Sequence, residues 1–140
     1  MTTANVRQAV PFFRVADMAR SRAFYEGGLG FEMTNHWIDE GELRWCWLGL
    51  GGGAIMLQQF RTEGHDAWTP DGKLGEGVSI CFMCEDALAI WRAARARGLE
   101  PRRPFVGNGL WVVSFTDPDG YVLDFESPTD APEETEYEGN

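Results

Sequence analysis

The chain is short of cysteine, histidine, basic charge and long apolar runs. Its three cysteines, Cys46, Cys81 and Cys84, are an odd number set inside apolar segments. They read as buried free thiols, not as a disulfide framework or a zinc cluster. There are two histidines, His36 and His65. Ser79 has no identifiable histidine base and no Gly-x-Ser-x-Gly turn occurs, so serine nucleophile chemistry has no support. No apolar run approaches the ~20 residues that span a bilayer. The opening Met1-Thr-Thr-Ala-Asn5 lacks the basic-then-apolar layout of a secretion signal. The expectation is a cytoplasmic protein with no membrane partner. Basic residues number 12 against 22 acidic ones, a net charge of −10. That sign excludes nucleic acid as a partner.

What is present fits one globular domain over residues 1–140, with 44% hydrophobic and 24% charged residues. The organising stretch is Phe115-Thr-Asp-Pro-Asp-Gly-Tyr-Val-Leu-Asp-Phe-Glu126. Asp117-Pro118-Asp119-Gly120 is a tight-turn sequence between two apolar runs, which predicts a β-hairpin. On its second strand Val122, Asp124 and Glu126 share a face. In chain order, strands are expected at 8–15, 31–38, 43–50, 54–60, 78–84, 100–106, 110–116 and 121–126. Helices follow the capping residues Asp17 and Asp86. Residues 61–76 read as a linker, and the acidic tail 128–140 as frayed.

The order β-α-β-β-β occurs twice, in module one (about 8–60) and module two (about 77–127). Phe13-Arg-Val15-Ala-Asp17 repeats as Phe82-Met-Cys84-Glu-Asp86 at an offset of 69. Each module's helix covers one face of its sheet. The other face must meet a partner module or enclose a cavity. The expected fold class is α+β: two βαβββ modules, with curled mixed sheets and outer helices, around a shared cleft.

With Phe13-Arg-Val-Ala-Asp-Met-Ala-Arg-Ser-Arg-Ala-Phe-Tyr-Glu-Gly-Gly-Leu-Gly-Phe31 and the Asp-Pro-Asp-Gly hairpin in view, the chain resembles the vicinal-oxygen-chelate superfamily. That group holds glyoxalase I, extradiol dioxygenases, fosfomycin-resistance enzymes and bleomycin-resistance proteins. The resemblance runs from about Gln8 to Ser127 and implies the two-module cleft, often completed in a homodimer. It also implies metal ligands at positions that fall here on Val10, Ser79, the region of Leu57 with Gln58 and Gln59, and Asp124. Only Asp124 is a competent ligand, so the expectation is no cofactor, with a divalent metal on Asp124 as the alternative.

The expected cleft faces are Val10, Phe12 and Arg14; Ser79, Cys81 and Met83; and Val122, Asp124 and Glu126. Trp45, Trp47, Gln59, Phe60 and Trp111 are neighbours of unfixed facing. An apolar, aromatic wall with few polar groups suits a small-molecule pocket, and carboxylates with aromatic faces suit a cation. An Asp124–Arg14 pair is the structural alternative for those charges. The leading expectation is a non-catalytic binding protein of the bleomycin-resistance, antibiotic-sequestering kind. A metal-dependent lyase or dioxygenase with a rearranged site, and a structural or partner module, are the alternatives.

Overall fold

A computed structural model describes residues 4–140. The elements are β1 (Phe12–Val15), α1 (Met18–Arg22) running into a π-helical segment (Ala23–Gly28), β2 (Glu32–Asp39), β3 (Glu42–Leu50), β4 (Gly53–Gln59), β5 (Ser79–Met83), α2 (Ala87–Ala96), β6 (Phe105–Gly107), β7 (Leu110–Thr116) and β8 (Val122–Pro128). They form two four-stranded mixed sheets, ordered β1-β4-β3-β2 and β5-β8-β7-β6. In each sheet the first strand runs parallel to the fourth and the other pairs are antiparallel. The fold is α+β with two βαβββ modules. The offset of 69 carries Met18 onto Ala87 and Gly53–Gln59 onto Val122–Pro128.

Both helices start where a short acidic side chain can take up an orphan N–H. Asp17 accepts from Arg20 N and Asp86 from Ala89 N, each at 3.1 Å. The end of each module's last strand supplies a further cap. Gln59 Oε1 accepts from Met18 N at 2.8 Å, and Ser127 Oγ from Ala87 N at 2.9 Å. Strand and helix are thereby locked at the same point in both modules.

The helix-covered faces bury Phe13, Val15, Cys46, Leu48, Ile55 and Leu57 in the first sheet and Val113, Phe115, Leu123 and Phe125 in the second. These join Tyr25, Phe31 and Trp91 in one continuous core. Each such side chain contributes roughly 1.5–3 kcal/mol on burial. The hairpin turn bolts the modules together. Asp117 Oδ1 accepts from the backbone N–H of Asp119, Gly120 and Tyr121, and Oδ2 from the Tyr25 hydroxyl at 2.7 Å. Asp119 takes up Ala16 N and pairs with Arg20, and Tyr121 stacks on Phe13 with ring centroids 4.2 Å apart. Gly120 sits at φ 109, and a Cβ there would come within 2.8 Å of the Leu74 carbonyl oxygen.

Four expectations need correcting. The strand expected over 100–106 is confined to Phe105–Gly107, because Pro101 and Pro104 before it offer no ladder N–H. The strand expected over 8–15 pairs only from Phe12, because Pro11 has no N–H for a ladder; its carbonyl still accepts from Met56 N. The tail packs back on the body. Glu134 N and Val106 N exchange bonds with Val106 O and Thr135 O, Glu133 takes up Asn108 N, and the Tyr137 ring lies edge-on to Trp91 and Trp111. Of the three cysteines only Cys46 is buried; Cys84 is half-buried and Cys81 exposed.

Candidate functional site

Alternation leaves each sheet with a face no helix covers. In the first sheet the strand register builds two rows across that face: Phe12, Met56, Trp47 and Asn35 in one, and Arg14, Gln58, Trp45 and Trp37 in the next. Phe12 and Trp37 are exposed at 43% and 44%, well above an ordinary core residue. In the second sheet the rows are Ser79, Val122 and Thr116; Cys81, Asp124 and Ser114; and Met83, Glu126 and Val112. The first wall is aromatic with one cation. The second sets carboxylates and hydroxyls among apolar Val122, Met83 and Val112.

Of the residues named from sequence, Phe12, Arg14, Trp45 and Trp47 come together on the first wall and Ser79, Cys81, Asp124 and Glu126 on the second. Val10 and Cys81 also line one groove of about 1060 Å³ between the modules, with Pro11, Leu50–Ala54, Met83 and Phe125. Two candidates lie elsewhere. Gln59 sits on the helix side, where its side chain caps α1. Trp111 packs under the tail against Tyr137. Both occupy the odd phase of their strands, and only the register reveals that phase.

Asp124 accepts a hydrogen bond from the Ser114 hydroxyl. One ligand atom from each of Cys81, Asp124 and Glu126 lies within 4.8 Å of the others. Burial, and then the Glu126 and Asp124 charges, push the Cys81 thiol up from its ordinary range, which keeps it a poor nucleophile at neutral pH. The imidazole–carboxylate set implied by the resemblance does not fit. Val10 carries no donor, Ser79 offers only a hydroxyl, and Leu57 is fully buried in the core. His36 pairs opposite Cys46, so it lies on the other side of the sheet from the aromatic rows. A thiolate with two carboxylates is a different donor set, able to hold a zinc-like ion with an open fourth position.

Arg14 forms no ion pair with Asp124; among the described residues neither takes part in one. Its guanidinium lies over Phe12 at 5.7 Å and over Trp68 at 5.2 Å. Sequence reading missed Trp68, because its segment has no periodicity. The segment nonetheless closes on itself: Arg61 pairs with Asp66 and Asp39, Trp68 N bonds to Arg61 O, and Phe60 meets Trp68 edge-on.

The family model described as Glyoxalase/Bleomycin resistance protein/Dioxygenase superfamily matches residues 7–125. Among solved structures, the chain is similar to a bleomycin resistance determinant encoded on transposon Tn5, at 23% identity and TM-score 0.65, over 88% of this chain and 98% of that one. It is also similar to a bleomycin-binding protein complexed with bleomycin, at 24% identity and TM-score 0.64, over 89% and 100%. A third likeness is TnmS3, an antibiotic binding protein from Streptomyces sp. CB03234, at 20% identity and TM-score 0.65, over 90% and 100%. Comparison with curated protein sequences returns no match. At these identities the structural likenesses speak for the fold, and the family model covers most of the chain: it belongs to the glyoxalase/bleomycin resistance protein/dioxygenase superfamily.

Proposed function

We propose that this protein binds a small molecule with a planar ring and a basic group, and sequesters it without chemistry or a metal. The observations that carry this reading are an uncovered aromatic wall on one sheet and, on the other, carboxylates that no cation among the described residues satisfies. Phe12, Trp45 and Trp47 supply ring faces, and Asp124 and Glu126 have no ion-pair partner among the described residues. Aromatic faces and carboxylates both favour cations. Neighbours of the same fold that bind bleomycin and other antibiotics support the class of ligand. Uncovered apolar side chains on both walls, Phe12 at 43% on the first and Met83 at 64% on the second, support a second copy of the chain closing the cleft.

Calorimetric titration with bleomycin, and with 9-aminoacridine as a minimal ring cation, tests the reading. Removing one charge by Asp124→Asn or Glu126→Gln weakens binding of both compounds about tenfold, the effect of losing one charge-assisted contact. Unchanged affinity in both variants would remove the acidic wall from the site.

The Cys81–Asp124–Glu126 cluster favours a second reading, a divalent ion held by thiolate and carboxylates in a rearranged lyase or dioxygenase site. Stoichiometric Zn²⁺ binding that Cys81→Ser abolishes would support it. Zn²⁺ binding indifferent to Cys81→Ser would sink it.

A further inference from the structure

We infer that Arg14 is an anion-recognising residue of the cleft, so the ligand is zwitterionic: a planar ring bearing a carboxylate as well as a basic group. This rests on the binding reading above and narrows its ligand class.

The inference starts from what holds Arg14 and what does not. Two rings flank its guanidinium, Phe12 from its own strand and Trp68 from the segment 54 residues downstream. No carboxylate of the described residues lies within ion-pair reach. Beyond the β1–β4 ladder, its backbone carbonyl accepts from the Tyr121 hydroxyl at 2.8 Å. Ring contacts engage the flat faces of a guanidinium and leave its in-plane N–H fork open. A fork fixed in this way pays less rotamer entropy when an anion arrives and matches a carboxylate with two parallel bonds. Arg14 is exposed, so an anion can reach this fork.

Its neighbours shape what can dock there. Gln58 and Trp45 continue the Arg14 row, and Met56 and Trp47 run beside it. A ring seated on Trp45 and Trp47 would carry its carboxylate toward Arg14. An arginine on this wall also works against a purely cationic ligand, while the second wall welcomes one. A ligand with both charges satisfies both walls. The segment 61–68 belongs to this device, since its Arg61–Asp66 and Arg61–Asp39 pairs hold Trp68 in position over Arg14.

The test is a matched pair of probes in EDTA: 9-aminoacridine and 9-aminoacridine-4-carboxylate, titrated into wild type, Arg14→Gln and Arg14→Lys. Wild type is expected to bind the carboxylate about tenfold tighter or more, as a charge-assisted bidentate contact requires. Arg14→Gln erases that preference by weakening the carboxylate probe about tenfold, while 9-aminoacridine, relieved of the like charge, binds at least as tightly as to wild type. Arg14→Lys keeps the charge without the planar fork and retains part of the preference, and it carries the test if the glutamine variant does not fold. Equal weakening of both probes in the variants would make Arg14 a packing residue and overturn the inference, as would a preference that survives Arg14→Gln. If wild type binds 9-aminoacridine but shows no preference for the carboxylate, this inference falls and the binding reading stands. If wild type binds neither, both fall.

Discussion

Tyr25 and Asp117 show how far single residues carry this fold. Their hydrogen bond at 2.7 Å spans 92 residues and ties the first module to the hairpin of the second. Burial, then the Asp117 charge, push the Tyr25 hydroxyl well above its ordinary range; burial also raises Asp117, against the opposing pull of the Tyr25 hydroxyl and the turn N–H groups. For a tyrosine raised in the folded state, stability is intact below the unfolded value near 10 and is lost as pH rises past it, because only the unfolded chain ionises. Tyr25→Phe strips a donor from a buried carboxylate and is expected to cost about 1–3 kcal/mol at neutral pH. It also shallows the alkaline loss of stability, without removing it, since Tyr121 is raised too. Urea denaturation across pH 7–11 reads both effects. A variant as stable as wild type at neutral pH would dismiss the bolt. The turn itself was legible in Asp-Pro-Asp-Gly, because its chemistry is local. Its partner Tyr25 was not, because nothing in a sequence fixes a contact 92 residues away.

At the scale of elements, periodicity and caps gave both helix starts and most strands within a residue or two, but β1 begins at Phe12 and β6 at Phe105, each several residues later than expected. Asp17 and Asp86 announce the helices, and the uncovered phase of each strand follows from alternation once one residue is placed. What sequence could not supply was the phase at strand ends, where Gln59 and Trp111 fall to the helix side, and the folding of segments without periodicity. The tail is the clearest case. Its acidity and prolines argue for fraying, yet it adds a pairing segment to the edge strand β6 and inserts Tyr137 beside Trp91 and Trp111. Arg103 holds its end through the carbonyls of Tyr137 and Gly139. Edge protection and aromatic burial together outweigh the ordering entropy. Deleting residues 129–140 is expected to cost about 2 kcal/mol, close to the burial of one aromatic side chain. Urea midpoints followed by tryptophan fluorescence check this, and an unchanged midpoint would return the tail to the frayed class.

For the whole molecule, the duplicated module explains why both sheets keep one face uncovered. Each module spends its helix on one side, and the seam between modules spends the hairpin and the Phe13–Tyr121 stack. The two open walls therefore remain for a ligand and for a second copy. A stable homodimer is expected in solution, and sedimentation equilibrium returning the 15.7 kDa monomer mass at micromolar concentration would contradict it. The walls were foreseen because strand alternation is written in the sequence. The rows Cys81–Asp124–Ser114 and Arg14–Gln58–Trp45 were not, since they depend on parallel and antiparallel registers that no local pattern encodes. The central claim is that the aromatic and acidic walls bind ligand without a metal. Calorimetric titration of metal-free bleomycin into the EDTA-treated protein tests it most directly. The account predicts saturable binding that is unchanged when Zn²⁺, Ni²⁺, Mn²⁺ or Fe²⁺ is restored to the protein. Binding that appears only after a divalent ion is added would contradict it.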